Sequence, residues 1–313
     1  MTEKHIVLGA GQIGTALAAK LASMGHDVVS VRRTATTSSK PGIRNVAGNI
    51  ADLTFARELG QGADVIYHVL NPAYHRWPQE LPALTEGVLA AAQSTGARLV
   101  VLDNLYMHGQ MNGVAMNERS PELPCSKKGE LRKRMADRYR AEQAAGKLQV
   151  AFARASDFVG PNIVQAALST RFFDAVLRGK PGDLLGDPAL PHALTYIDDV
   201  VDTLATLGTD PRGMNQTWLV PTLPAMPIAT WIAAFEQELA IKIRTRVMPS
   251  WLMTVLGPFV PIVRELKEMH YQWTTPYLVD DASYRATFGA APVPFEQQVK
   301  ATAAWVKQRA PQA

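Results

Sequence analysis

The chain has 313 residues, 47% of them hydrophobic and 19% charged, enough to bury a full core as one large or two modest domains. Its formal net charge of +4 is small and its basic residues are spread along the chain, so charge alone makes no case for nucleic acid. A lone cysteine, Cys125, excludes an internal disulfide and a cysteine-based zinc cluster, and it fits a reducing cytoplasm.

A strand is expected almost at once, at His5 to Leu8, leaving no room for a signal peptide. It runs into Gly9-Ala10-Gly11-Gln12-Ile13-Gly14. A helix pattern follows from Gln12 to Met24, with Ile13, Leu17, Leu21 and Met24 on one face, and closes on Gly25 before a second strand at Val28 to Val31. In this strand–turn–helix setting Gly9 makes the tight turn, Gly11 lets the backbone approach a pyrophosphate, and Gly14 allows close helix packing. The N–H groups and dipole of the helix N-terminus favour an anion there. At the end of the second strand a site for NAD(H) usually carries an acid for the ribose 2′-hydroxyl, whereas one for NADP(H) carries arginine. Here the chain reads Arg32-Arg33-Thr34, so NADP(H) is preferred and NAD(H) remains the alternative.

A polar loop over residues 34–42 leads to a short strand at Ile43 to Ala47, then Gly48-Asn49-Ile50-Ala51-Asp52 and a helix. Residues 63–70 form the next buried strand, stopped by Asn71-Pro72, and a long helix covers Trp77 to Thr95. Arg98 to Leu102 is another apolar strand, Lys127 to Ala145 a basic helix, and Leu148 to Ala155 one more strand. This alternation predicts an α/β fold with a doubly wound parallel Rossmann sheet. Beyond Pro161 prolines and tryptophans become frequent, which suggests a smaller, interleaved C-terminal substrate domain. Residues 1–165 and 192–210 then make the dinucleotide domain, and 166–191 and 211–313 the other. Disorder is expected only in the last few residues. The 17 residues from Val247 to Val263 carry no charge, but a membrane span needs about 20 apolar residues. With Pro249, Gly257, Pro258 and Pro261 inside it, the run reads as a buried helix pair or loop.

Ligands of such sheets lie beyond the carboxyl ends of the strands. The candidates are therefore Gly9, Gly11, Gln12, Ile13 and Gly14, Arg32 and Arg33, Asn49 and Ile50, Leu70, Asn71 and Pro72, the segment from Asp103 to Gly109, and Ser156 with Asp157. The loop Asn71 to Trp77 is rich in polar aromatics, so Tyr74, His75 and Trp77 are pocket candidates, although Trp77 could instead anchor the helix. His192 is a further pocket candidate. Histidines and acids are scattered rather than spaced as ligands, so no metal site is expected.

These segments together resemble the extended short-chain dehydrogenase/reductase superfamily, of the NAD-dependent epimerase/dehydratase type. The matches are the glycine turn, Gly48 to Asp52, Val100 to Gly109, Arg154 to Pro161, Thr195-Tyr196-Ile197-Asp198-Asp199-Val200, and Phe288-Gly289 with Pro292 and Pro294. The resemblance implies chemistry built on a serine and a Tyr-x-x-x-Lys pair, in which a phenol of ordinary pKa about 10 trades a proton with substrate while hydride passes to or from nicotinamide. In this chain the serine slot holds Asn104, and the Tyr and Lys slots align with Lys128 and Arg132. Tyr139 is followed four residues on by Gln143.

Lys128 and Arg132 share a helix face in the first turns, where the macrodipole disfavours cations. They either bind an anion of substrate or cofactor or belong to a solvated basic face with Lys127, Lys133, Arg134 and Arg138. Tyr106 could donate a phenolic proton and Asp103 act as acid or base if burial shifts it. Alternatively, Asp103 and Asn104 cap the turn and Tyr106 packs.

The expected activity is thus that of an NADP(H)-dependent oxidoreductase or epimerase on a small carbonyl or sugar-like metabolite, with a proton relay drawn from Asp103, Tyr106 and Lys128. The alternative is a noncatalytic dinucleotide-binding sensor or partner-binding module. No nucleic acid or membrane partner is expected. The resemblance implies a homodimer through the helices at 77–95 and 127–145, but the basic second helix would oppose itself unless its charges are paired, which leaves dimerisation open.

Overall fold

The computed structural model describes residues 2–36, 40–164 and 166–309. Part of the polar loop expected at 34–42, and the tail expected to be disordered, fall outside the described residues.

The strands are β1 (Lys4–Leu8), β2 (Asp27–Arg32), β3 (Ile43–Ala47), β4 (Val65–His68), β5 (Arg98–Asp103), β6 (Val150–Arg154), β7 (Asp157–Val159), β8 (Gly182–Leu184), β9 (Pro191–His192), β10 (Leu194–Tyr196), β11 (Thr217–Leu219), β12 (Met226–Pro227) and β13 (Thr245–Val247). The helices are α1 (Gln12–Ser23), α2 (Leu53–Gly60), α3 (Trp77–Gln93), α4 (Lys127–Ala144), α5 (Thr170–Leu177), α6 (Ile197–Thr209), α7 (Ile228–Leu239), α8 (Ser250–Leu256), α9 (Pro261–Met269), α10 (Ala282–Phe288) and α11 (Phe295–Arg309).

Two compact units form. The first comprises Met1–Met107, Lys127–Arg154 and Val200–Trp218. It contains a seven-stranded sheet in the order β11-β6-β5-β4-β1-β2-β3, parallel from β6 through β3. Chain order runs outward on both sides of β1 and β4, so the topological switch point lies between them. The turns after these two strands are the ligand-binding positions of such a sheet.

Apolar residues on both faces make these strands buried ones. Ile6, Leu8, Val29, Val31, Ile66, Leu99 and Val101 join one cluster with Val88, Leu89, Met135 and Tyr139 from the helices. Each fully buried aliphatic side chain contributes roughly 1.5–3 kcal/mol. Helix α1 buries Ile13, Leu17 and Leu21 as expected, but Met24 is 45% exposed, because the helix has ended and Met24 is its cap. Asp52 caps α2, accepting from the N–H groups of Thr54 and Phe55, an arrangement worth about 1 kcal/mol.

The second unit comprises His108–Ser126, Ala155–Asp199 and Leu219–Ala313. Here β10 pairs with β7, β12 with β9 and β13 with β8. Phe173 packs edge-on against Phe172, Phe235 and Trp305. The division differs from the expected boundaries, and the second unit is not the smaller one. Residues 108–126 belong to it because the Met116 N–H donates to Leu278 O and the Asp280 N–H to Met116 O. Residues 155–164 and 192–199 join it through the β7–β10 pair. Conversely, β11 adds the segment before Leu219 to the edge of the large sheet.

The uncharged run from 247 to 263 forms α8 and the start of α9. It is a helix pair but not a buried one, since Trp251, Val255 and Phe259 are 66%, 56% and 81% exposed. Among the described residues no helix is long and apolar enough to cross a membrane. Folding also brings ligand atoms of Glu3, His5 and His26, which are scattered in the sequence, within 4.8 Å of one another. Pairing of β1 with β2 does this, and sequence spacing cannot show it.

Candidate cofactor site and tyrosine pair

The glycine turn is built as a cradle. Gly9 has φ +113°, and a Cβ there would come 3.0 Å from Val69 O, at the end of β4. A Cβ on Gly14 would lie 1.7 Å from Gly9 O, so the helix packs against the turn as only glycine permits. A Cβ on Gly11 would meet nothing within 4 Å. Gly11 is also the N-cap of α1, and no side chain caps the helix there. Open space beside an uncapped helix N-terminus, with Gln12 and Ile13 in its first turn, fits a pyrophosphate.

At the end of β2 both Arg32 and Arg33 are exposed. Arg33 Nη1 lies 3.6 Å from Glu80 Oε2, and Arg76 Nε lies 2.6 Å from Glu80 Oε1. One carboxylate is therefore shared by two guanidiniums, leaving positive charge in excess beside the strand end. The sequence reading missed Arg76; its signal was the i,i+4 spacing to Glu80 at the start of α3. After β3, Asn49 Oδ1 accepts from Ala51 N–H at 3.1 Å and Ile50 is buried.

The loop after β4 meets the loop after β5. The hydroxyls of Tyr74 and Tyr106 share a 2.5 Å hydrogen bond, and Lys128 Nζ lies 5.5 Å from the centre of the Tyr74 ring. Tyr106 is 7% exposed and Lys128 4%. Trp77 stacks on Tyr106 at 6.1 Å, donates Nε1–H to Pro72 O and is 1% exposed. It therefore supports the tyrosines from within and does not face a ligand. Leu70 is half-buried and Pro72 buried, while Asn71 and His75 are exposed. His75 thus lies on the surface, outside the tyrosine cluster.

Lys128 and Arg132 do not belong to a solvated face. Arg132, 4% exposed, donates Nη2–H to Asn71 Oδ1 at 3.0 Å, lies 4.4 Å over the Trp77 ring and places Nη1 3.6 Å from Asp103 Oδ1. Arg154 Nε approaches the other oxygen of Asp103 at 3.5 Å. This placement corrects the expectation for Asp103, a carboxylate enclosed between two guanidiniums and therefore acting as their counter-ion. Asn104 is also engaged, since its Oδ1 accepts from Tyr106 N–H at 3.1 Å and so sets the turn that presents the phenol. Arg154 was another missed member; a charge closing an otherwise apolar buried strand was the available sign.

Four outward cations of α4 are paired within the chain. Lys133 meets Asp137, Arg134 meets Glu130, Arg138 meets both Glu86 on α3 and Glu142, and Arg140 meets Asp137.

In the second unit, His192 Nε2–H donates to Asp157 Oδ2 at 2.8 Å. The imidazole stacks on Trp273 at 3.8 Å and on Tyr277 at 4.8 Å. Ser156 Oγ is 2.7 Å from Thr195 Oγ1, itself 2.9 Å from Thr222 Oγ1, so Ser156 belongs to a buried hydroxyl chain.

A model of the NAD dependent epimerase/dehydratase family matches residues 5–220. No curated protein matches the chain. Among solved structures, UDP-glucose 4-epimerase of Thermotoga maritima with UDP-glucose is 16% identical, over 98% of this chain and 99% of that one, with a TM-score of 0.80. UDP-glucuronic acid 4-epimerase of Bacillus cereus with NAD is 17% identical over 97% and 99%, at 0.77. The Bordetella bronchiseptica enzyme WbmH with NAD+ is 18% identical over 98% and 99%, also at 0.77. At these identities the likeness is one of fold.

Proposed function

Since this chain belongs to the NAD dependent epimerase/dehydratase family, we propose that it is an NADP(H)-dependent oxidoreductase or epimerase. Its substrate is a small carbonyl or sugar-like metabolite, and its proton relay is non-standard. The observation that carries this reading is the Tyr74–Tyr106 hydroxyl pair with Lys128 over the Tyr74 ring, beyond the carboxyl ends of β4 and its neighbour β5.

Gly9, Gly11, Gln12, Ile13 and Gly14 hold the pyrophosphate, Arg32 and Arg33 with Arg76 hold a 2′-phosphate, and Asn49, Ile50, Leu70, Asn71 and Pro72 line the rest of the cofactor. Bound nicotinamide supplies hydride transfer. Tyr106 holds the proton exchanged with the substrate oxygen at its Oη, and the hydrogen bond to Tyr74 carries that proton onward. Lys128, 5.5 Å from the centre of the Tyr74 ring, favours the ionised form of that phenol, because a nearby cation in a poorly hydrated site stabilises negative charge. Arg132, fixed by Asp103, Asn71 and Trp77, holds the loop that carries Tyr74. His192 and Asp157 are the further candidates for substrate recognition. The reading includes no nucleic-acid partner, because Lys133, Arg134, Arg138 and Arg140 of α4 already face acids of the same chain.

NADPH consumption with a panel of ketones, aldehydes and nucleotide-sugars tests the reading. Turnover that falls by about 100-fold or more in Tyr106→Phe is expected for loss of a general acid. Tight cofactor binding with a silent panel would instead indicate a noncatalytic dinucleotide sensor.

A further inference from the structure

Glu3, His5 and His26 lie at the amino end of β1 and β2, at the opposite end of the strands from the glycine turn. His5, in β1, is fully buried, while Glu3 and His26 are half-buried. His5 Nδ1 is 2.9 Å from the Tyr67 hydroxyl, which leaves Nε2 as the nitrogen facing the cluster. That atom lies 3.3 Å from Glu3 Oε2, and it has no hydrogen-bond partner; the same holds for buried Nδ1 of His26. The imidazoles of His5 and His26 are 4.1 Å apart between ring centres and inclined at 47°. Arg98 Nη2 binds Glu3 through Oε1, leaving Oε2 turned toward His5.

We propose that Glu3 Oε2, His5 Nε2 and His26 Nδ1 form a binding site for one zinc-class divalent cation. Two imidazoles and a carboxylate suit zinc and its transition-metal neighbours better than magnesium or calcium, which take oxygen ligands. Zinc bonds of about 2.0–2.2 Å give a tetrahedral edge of roughly 3.3 Å, the His5–Glu3 separation. All three ligand atoms lie within 4.8 Å of one another, and Glu3 and His26 are half-buried rather than enclosed. Tyr67 and Arg98 are the outer partners that fix His5 and Glu3, as ligating groups require. Binding would tie the residue before β1, β1 itself and the turn between α1 and β2 together, far from the proposed cofactor cradle.

Calorimetric titration of the full chain with zinc chloride, repeated with cobalt(II) for its visible absorption, tests the site. One equivalent should bind, raise the melting temperature by mass action and give the spectrum of a four-coordinate ion. Glu3→Gln and His26→Ala should each lower affinity beyond the ~10–100-fold cost of losing an outer partner, and Tyr67→Phe should fall within that range. Cys125→Ser and His75→Ala should leave binding unchanged. The site is overturned if zinc gives neither heat nor a thermal shift, or if Glu3→Gln and His26→Ala, each verified as folded by circular dichroism, bind as the unaltered chain does.

Discussion

Asparagine in place of Asp103 removes the negative charge lodged between Arg132 and Arg154 while keeping the side chain's shape. The three side chains are 0%, 5% and 1% exposed, so water cannot replace the lost charge. Breaking a buried ion pair costs about 3–5 kcal/mol; the lower end applies because the amide oxygen still accepts hydrogen bonds. At roughly 2–4 °C per kcal/mol for a body of this size, Asp103→Asn should melt about 6–12 °C below the unaltered protein. Arg132→Met leaves Asp103 balanced by Arg154 and loses one hydrogen bond to Asn71 and the stacking over Trp77. Its cost should be only about 1–2 kcal/mol. Thermal and urea unfolding followed by circular dichroism measure both. A variant Asp103→Asn that melts with the unaltered protein, yet loses turnover and shifts its pH profile, would make Asp103 a proton carrier and refute the counter-ion assignment.

Gly14→Ala should weaken cofactor binding by about tenfold or more and also lower stability, since the new methyl meets Gly9 O at 1.7 Å. Gly11→Ala meets nothing in the protein, so its melting temperature should hold while fluorescence titration shows weakened cofactor binding. Tyr74→Phe should reduce turnover less than Tyr106→Phe in steady-state assays, because it removes only the onward step of the relay. Burial, reinforced by the charge of Arg132, lowers His68 to about 3, below its ordinary value of about 6.5. The unfolded chain therefore takes up the proton first, and stability is lost as pH falls from about 6.5 toward 3, by roughly 2 kcal/mol at pH 5. Urea unfolding at pH 8 and pH 5 should show that loss reduced by this amount in His68→Asn. His5, lowered to about 4 chiefly by burial, titrates in the same window in both proteins, so the difference isolates His68.

The sheet was readable from sequence because its strands are short apolar runs punctuated by glycine, and because the helix pattern between them has a regular period. The cofactor cradle was readable for a related reason: its glycines are adjacent in the chain, and each answers a local steric demand. The tyrosine pair was not, since Tyr74 and Tyr106 lie 32 residues apart and meet only through the pairing of β4 with β5. Lys128 and Arg132 invite a surface reading because α4 is dense in charge. Only the positions of Asp103, Asn71 and Trp77 show that these two face inward. Trp77 could equally be pocket or anchor until its indole partner, Pro72 O, was in place. The segment 108–126 has no periodicity to declare its unit; backbone bonds of Met116 to Leu278 and Asp280 assign it.

Fluorescence titration of the protein with NADPH and, separately, NADH tests the central claim most directly. Tight NADPH and weak NADH binding, with the order reversed when Arg32 and Arg33 are changed to acids, is the predicted result. Binding of neither nucleotide would reduce the glycine turn to scaffold and contradict the proposed enzyme before any substrate is tried.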